Sequence, residues 1–182
     1  MAISYKIFLT LIFLVSFIGS TKPQAGDALK FSNYSIKKSV TTSADKAIIW
    51  NLWMDVNNWK EFDERLEYSY IIDNKKLEKG ALGYLKAKNG PKTKFEITEF
   101  KEHISFTEVL KLPLYQTIEL KRYFNKSDNN DTVFTHEVIF RGRLRFATCA
   151  LLCGAFKKDI QLVLQQMKIL AEENMAQEDS ST

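Results

Sequence analysis

The chain has 182 residues, of which 45% are hydrophobic, 13% aromatic and 26% charged. This composition excludes a disordered chain, a collagen-like fibre and a miniprotein held together by disulfides, and it can supply one hydrophobic core. With 26 basic and 22 acidic side chains, the net charge of +4 is too small and too evenly spread to indicate a nucleic-acid-binding protein.

Residues 1–25 have the pattern of a signal peptide. They contain no acid, Lys6 lies near the start, and an apolar run from Ile7 to Ile18 precedes small residues. A membrane-spanning helix needs about 20 apolar residues, so this run is too short to favour a permanent anchor. We therefore predict a periplasmic or secreted protein, cleaved between positions 20 and 25. An uncleaved segment would instead tether the protein to a membrane.

The next part of the chain predicts one strand and two short helices. The strand is expected over Tyr34 to Val40, and residues 42–45 have the residue types that start a helix over residues 47–53. Residues 55–62 predict a second short helix, because two bulky aromatic residues three positions apart fall on one side.

Residues 66–143 contain short runs of β-branched and aromatic residues separated by turn formers. Their close spacing predicts about six antiparallel strands joined by hairpins. Apolar residues then recur every three or four positions, which predicts a helix from Phe146 to Asn174. The polar residues 177–182 are expected to form a frayed tail.

This order of elements predicts an α+β fold. In this fold a curved antiparallel β-sheet wraps around a long C-terminal α-helix, and two short helices follow the first strand. A curved sheet of this size is wider than one helix, so we expect a pocket between the sheet and the helix.

Four parts of the chain carry a resemblance to known proteins: Ser39–Trp50, Asp55–Phe62, the pair Gly80 and Gly83, and Thr132–Gly142 before the long helix. They are similar to the START-like (Bet v 1-like) superfamily, within it the polyketide cyclase/dehydrase and lipid-transport group called SRPBCC, and this resemblance implies a helix-grip fold. The resemblance implies one helix-grip ligand-binding domain over residues 26–176. It also implies a cavity for sterols, lipids, polyketides or other hydrophobic molecules, but it carries over no catalytic residue.

Candidate ligand-binding residues follow from strand parity, helix spacing and the aromatic residues of the first helices, which could roof a cavity or simply pack in the core. They are Trp59, Phe106, Glu108, Arg122, Phe134, His136, Phe156 and Ile160.

Three of these candidates are polar. His136 shares a strand face with apolar residues, where an imidazole can titrate near neutral pH, although a core histidine bonded to a neighbouring strand is the simpler interpretation. Glu108 either points inward, where burial would raise its pKa, or marks a strand end. Arg122 could pair with a ligand carboxylate, but we expect it at a solvated rim.

A second basic feature is the cluster of Arg141, Arg143 and Arg145 before the long helix. It forms either a solvated edge or a contact for anionic headgroups, so transient membrane contact is one expected interaction. Cys149 and Cys153 are four residues apart, and we expect two buried free thiols.

The sequence favours an exported protein that binds a hydrophobic small molecule or lipid, rather than an enzyme. No motif for a metal, nucleotide or other cofactor occurs, and we expect no nucleic-acid partner. The first alternative is a cyclase or dehydrase acting on a polyketide-like substrate with His136 as acid or base. The second is an interaction module without a pocket.

Overall fold

The computed structural model describes residues 34–127 and 131–180, so the predicted signal peptide lies outside the described residues. Seven strands and two α-helices make up most of this part of the chain. In chain order they are β1 (Ser35–Thr42), α1 (Lys46–Met54), a 3-10 helix (Val56–Glu61), β2 (Leu66–Ile71), β3 (Leu82–Ala87), β4 (Lys92–Lys101), β5 (Ser105–Leu112), β6 (Gln116–Asn125), β7 (Thr132–Arg141) and α2 (Arg145–Ser180).

The strands form one antiparallel sheet in the order β1-β7-β6-β5-β4-β3-β2. Hairpins join neighbouring strands from β2 to β7, as the turn spacing predicts. The register shifts in β2 between Leu66 and Tyr68, and in β4 between Ile97 and Glu99. Such irregularities bend a strand, and they help the sheet to curve around its concave face.

The Phe95 ring requires a glycine at position 83 of the neighbouring strand. Gly83 in β3 pairs with Phe95 in β4, and a Cβ at position 83 would overlap the Phe95 ring. The missing side chain therefore leaves room for Phe95, whose ring stacks on Trp59 with centroids 5.8 Å apart. This stack attaches the 3-10 helix to the concave face of the sheet.

The long helix α2 packs against β1, β7 and α1. From Ile160 onward the helix buries one side, which also includes Leu164, Met167 and Ala171. The α+β helix-grip architecture is thus confirmed. Within the described ranges, no helix combines the length and the apolar character needed to cross a bilayer.

Two details of α2 differ from the sequence-based expectation. The helix continues to Ser180, so residues 177–180 are helical rather than a frayed tail. Local polarity predicted the tail, but a helix anchored by its buried side can continue through exposed polar residues. Cys149 and Cys153 form a disulfide, so the prediction of two free thiols is wrong. Their Cα atoms are 4.8 Å apart, which is within disulfide range.

Candidate functional site

Four of the eight predicted site residues meet on the concave face of the sheet. Arg122 Nη1 donates a hydrogen bond to Glu108 Oε2 over 3.1 Å, and both side chains are buried. The Arg122 guanidinium carbon lies 4.3 Å from the centre of the Trp59 ring and 5.1 Å from that of Phe106. A buried ion pair next to two aromatic rings therefore replaces the solvated arginine that the sequence predicts for position 122.

Strand register explains why these side chains converge. Arg122 in β6 faces Phe106 in β5 on one side and His136 in β7 on the other. Glu108 lies two residues along β5 from Phe106 and therefore points to the same face. The sequence left open whether Glu108 points inward, and the structure places it inward with 0% exposure.

Burial shifts the pKa values of the three polar side chains Glu108, Arg122 and His136. It raises the pKa of Glu108 although Arg122 opposes the shift, and it lowers the pKa of Arg122 although Glu108 opposes that shift. Burial, together with the charge of Arg122, holds the pKa of His136 well below 6.5. His136 is therefore neutral at neutral pH, which favours a core histidine, the simpler of the two interpretations, over one that titrates there.

Some polar atoms of this group lack a hydrogen-bond partner among the described residues. They are Glu108 Oε1, Arg122 Nε and His136 Nε2. Buried polar atoms without partners cost free energy, and they are uncommon in folded proteins. The three atoms therefore leave hydrogen-bonding capacity unused in this part of the concave face.

The tryptophans of the first helices are core residues. Trp50, Trp53 and Trp59 are all nearly fully buried. Trp59 Nε1 donates to the Trp53 carbonyl oxygen over 3.0 Å. The Trp53 ring lies 6.0 Å from His136 and 6.2 Å from Phe134 between centroids, so two further predicted site residues adjoin the same aromatic layer.

The remaining two predicted residues, Phe156 and Ile160, lie on α2. Phe156 is half-buried, and its ring lies 5.7 Å from that of Phe140 in β7. Ile160 is buried, and it is the first buried residue of the helix because positions 145–159 are all half-buried or exposed. The N-terminal half of α2 thus covers the sheet less closely than the C-terminal half.

Part of the concave face below that half-helix is not fully covered. Leu85, Leu112 and Leu120 share strand parity with buried neighbours, yet each is only half-buried. Leu120 lies directly opposite Glu108 in the register of β5 and β6. Sequence reasoning missed these leucines, although the parity of Ile118 and Arg122 already assigns Leu120 to the inner face.

An ion pair marks the point on α2 where close packing begins. Arg65, just before β2, contacts Asp159 Oδ2 through Nη1 at 2.5 Å and Asp63 Oδ2 through Nη2 at 2.6 Å. Because Asp159 immediately precedes Ile160, this contact ties the helix to the loop before β2 at that position. Residues 145–158 of α2 lie on the N-terminal side of this ion pair.

Two surface cavities lie elsewhere. One, of about 670 Å³, has an apolar floor that includes Trp50 and Leu77 and a charged rim that includes Lys75, Glu78 and Glu102. A second, of about 490 Å³, lies between α1 and the C-terminal end of α2. None of the eight predicted site residues lines either cavity. No cluster of three or more metal-binding side chains occurs in residues 34–127 and 131–180.

The arginines before α2 have different surroundings. Arg141 forms an ion pair with Glu119, with Nε 3.1 Å from Oε1. The Arg145 guanidinium carbon lies 5.1 Å from the centre of the Tyr34 ring, and Arg143 is exposed. The predicted solvated edge is therefore present at Arg143, whereas Arg141 is paired.

Comparison with known proteins identifies solved structures that have a similar fold. No family model matches the sequence, and no curated protein does either. A hypothetical protein of Helicobacter pylori is similar in structure, with a TM-score of 0.63 at 12% identity over 85% of this chain and 99% of that chain. A START superfamily protein from Mycobacterium smegmatis gives a TM-score of 0.57 at 9% identity, covering 76% of this chain and 97% of its own.

The Zhui aromatase/cyclase of a Streptomyces species is also similar, with a TM-score of 0.59 at 14% identity, covering 78% of this chain and 94% of its own. The chain therefore shares the helix-grip fold of these structures, one of which is described as a START superfamily protein. At these sequence identities the similarity establishes the fold alone.

Proposed function

We propose that this protein binds a hydrophobic small molecule or lipid between the concave face of the sheet and the N-terminal half of α2. The observation that supports the proposal is the incomplete cover of that face. Leu85, Leu112 and Leu120 point inward but remain half-buried, and α2 buries no side chain before Ile160. Solvent-accessible apolar side chains on an inner face gain free energy when an apolar ligand covers them.

The polar group beside these leucines supports an amphiphilic ligand with its polar end inward. Leu120 and Glu108 are register partners, and Arg122 lies two residues beyond Leu120 on the same face. The partnerless atoms of Glu108 and Arg122 can hydrogen-bond the polar end of a ligand whose apolar part covers Leu120. Binding energy would then come mainly from apolar burial, and the polar group would fix orientation.

The 670 Å³ cavity is a poorer site for such a ligand. Its rim carries both lysines and carboxylates, including Lys75, Lys76 and Glu102. A hydrophobic molecule there would have to desolvate charged side chains, which costs free energy without a compensating contact. The concave face below α2 instead offers leucines and only one buried ion pair.

Two experiments test ligand binding. First, the purified protein is incubated with a total lipid extract and examined by native mass spectrometry, where we expect an apolar compound to remain bound. Second, the affinity for a fluorescent fatty acid is measured for Leu120→Trp and for the control Leu82→Trp. Leu82 is an exposed β3 residue on the opposite parity from Leu85, so the control adds the same bulk outside the proposed site.

Leu120→Trp should weaken binding of the fatty acid by about tenfold or more, because the indole fills the space proposed for the ligand. Leu82→Trp should leave the affinity unchanged. The proposal fails if no apolar compound is retained from the extract, or if both variants bind the probe as the unmodified protein does.

We also propose that the protein acts outside the cytoplasm, in the periplasm or after secretion. The pattern of residues 1–25 supports this location, and a disulfide between Cys149 and Cys153 is compatible with an oxidising compartment. Fractionation of cells that express the full chain tests the proposal. Recovery of a processed protein outside the cytoplasm is expected, whereas an unprocessed cytoplasmic protein would contradict it.

A further inference from the structure

Two neighbouring loops at one end of the sheet expose large apolar side chains. Leu114 and Tyr115 lie in the turn between β5 and β6, while Leu144 and Phe146 lie where β7 leads into α2. Tyr115 is 98% exposed, Phe146 58%, Leu114 56% and Leu144 41%. We call these four residues the tip surface.

Hydrogen bonds of Gln116 hold the two loops together. The Gln116 side chain is buried, and its Oε1 accepts from the Leu144 backbone N–H over 3.1 Å. Its Nε2 donates to the Leu114 carbonyl oxygen over 2.9 Å. These hydrogen bonds hold the two loops in a fixed position relative to each other. Their apolar side chains therefore belong to one surface and not to two independent segments.

The turn that carries Leu114 and Tyr115 is an unfavourable place for them. The two central residues have φ values of 58° and 57°, and the N–H of Gln116 points to the carbonyl oxygen of Pro113 over 3.4 Å. Positive φ at both central positions is the pattern of a type I′ turn, which prefers Asn-Gly. Leucine and tyrosine here oppose both the backbone preference and the preference of apolar groups for burial.

The two sequence segments that carry the tip surface contain basic but no acidic residues. Residues 109–118 and 142–158 contain no acid, and the second segment carries Arg143, Arg145, Lys157 and Lys158. All four are exposed. Arg141 is excluded from this set, because it is paired with Glu119. Exposed apolar side chains beside Arg143 and Arg145 match the surface of a bilayer that contains anionic lipids, and Lys157 and Lys158 lie farther along α2.

We propose that the tip surface docks this protein onto a membrane bearing anionic headgroups. Tyr115 and Phe146 enter the interfacial region with Leu114 and Leu144, while Arg143 and the neighbouring cations contact headgroup phosphates. Leu112, half-buried on the concave face, ends β5 just before this turn. Docking therefore brings the incompletely covered end of the concave face to the lipid surface.

Cosedimentation with vesicles tests the proposal on the processed protein without residues 1–25, because that apolar segment would itself bind a membrane. The vesicles contain phosphatidylcholine alone, or phosphatidylcholine with about 30 mol% phosphatidylglycerol. The main variant is Leu114→Asn with Tyr115→Gly, which supplies the pair that the turn prefers. Its control is Ile104→Asn, which removes an apolar side chain that is 52% exposed in the turn between β4 and β5, at the opposite end of the sheet.

A second pair of variants tests the charges. Arg143→Glu with Arg145→Glu reverses two cations beside the tip surface, and Lys75→Glu with Lys76→Glu makes the same change in charge between β2 and β3. Thermal unfolding of every variant verifies that it folds. We expect the Asn-Gly variant to be at least as stable as the unmodified protein, because the backbone conformation then suits its residues.

The unmodified protein should bind the anionic vesicles about tenfold or more better than neutral ones. The Asn-Gly variant and the arginine variant should each lose about tenfold or more in affinity for anionic vesicles, while both controls retain it. Equal binding by the Asn-Gly variant and the unmodified protein would overturn the proposal, as would an equal loss in the controls. Vesicle binding is measured without the fatty-acid probe, so this proposal and the ligand-binding proposal fail separately.

Discussion

The buried ion pair between Arg122 and Glu108 joins β6 to β5 across the concave face, with Nη1 and Oε2 separated by 3.1 Å. Two charges in a dry environment lose hydration that their mutual attraction only partly restores. Their pKa shifts reflect this cost, since burial raises the pKa of Glu108 and lowers that of Arg122. The pair thus forms a polar group inside an otherwise aromatic layer.

Removing one partner should be far more damaging than removing both. Arg122→Met leaves the Glu108 carboxylate buried without its partner, and we expect a loss of about 3–5 kcal/mol in the free energy of unfolding. The double variant Glu108→Leu with Arg122→Met should stay within about 1 kcal/mol of the unmodified protein. Urea denaturation at pH 7 measures both values.

The pH dependence of Arg122→Met provides an independent check. Without the arginine, the folded-state pKa of Glu108 rises further above its ordinary value of 4.5. The folded state then binds more protons than the unfolded state, so stability falls as pH rises from about 4.5 through the raised pKa. Equal stability of the single and double variants across this range would contradict the account.

His136 should show the opposite dependence on pH. Its folded-state pKa is well below 6.5, so the unfolded state binds more protons and stability is lost as pH falls below about 6.5. His136→Phe should abolish this loss and remove the partnerless Nε2, with stability at pH 7 unchanged or raised by about 1 kcal/mol. Thermal melts between pH 5 and 8 would refute the assignment if the variant and the parent showed the same slope.

Replacing glycine by alanine should have opposite effects at two positions. At Gly83 the new Cβ overlaps the Phe95 ring, so we expect a loss of about 1–3 kcal/mol. At Gly154, an exposed helical position with nothing within 4 Å of the new Cβ, we expect a gain of about 0.5–1 kcal/mol. Urea denaturation compares the two variants, and a stable Gly83→Ala protein would show that Phe95 can move aside.

Glu172 connects α2 to the end of β1. Its Oε1 accepts hydrogen bonds from Thr42 Oγ1 at 2.9 Å and Lys168 Nζ at 2.8 Å. The hydrogen bonds from Lys168 and Thr42 lower the pKa of Glu172 to about 2. The stability that this carboxylate provides is therefore present above pH 4.5 and is lost as pH falls from there toward 2.

Glu172→Gln should cost about 1 kcal/mol at pH 7, because the partly exposed bonds become neutral and weaker. The variant should also lose less stability than the parent between pH 4.5 and 2. Acid unfolding followed by circular dichroism measures the difference, with the neighbouring exposed Glu173→Gln as a control. Identical acid transitions for both glutamine variants would show that Glu172 has no special role.

The order and type of the elements were predictable from the sequence because residue periodicity is a local property. Alternation along the strands assigned Phe134, His136 and Val138 to one face, and spacing of three and four assigned Ile160 and Met167 to one side of a helix. These assignments were sufficient to predict an antiparallel sheet covered by one long helix and the inward direction of most candidate residues, while the resemblance to a known family supplied the helix-grip fold.

Only the tertiary structure decided which of these faces contact each other and how closely they pack. Parity placed Arg122 on an inner face, but its burial depends on Glu108, Trp59 and Phe106, which arrive from other elements. The sequence patterns also did not reveal the disulfide between Cys149 and Cys153. Nor did they show that the close packing of α2 starts at Ile160. A periodic pattern fixes the direction of a side chain, whereas its distance from a neighbour depends on how whole elements pack.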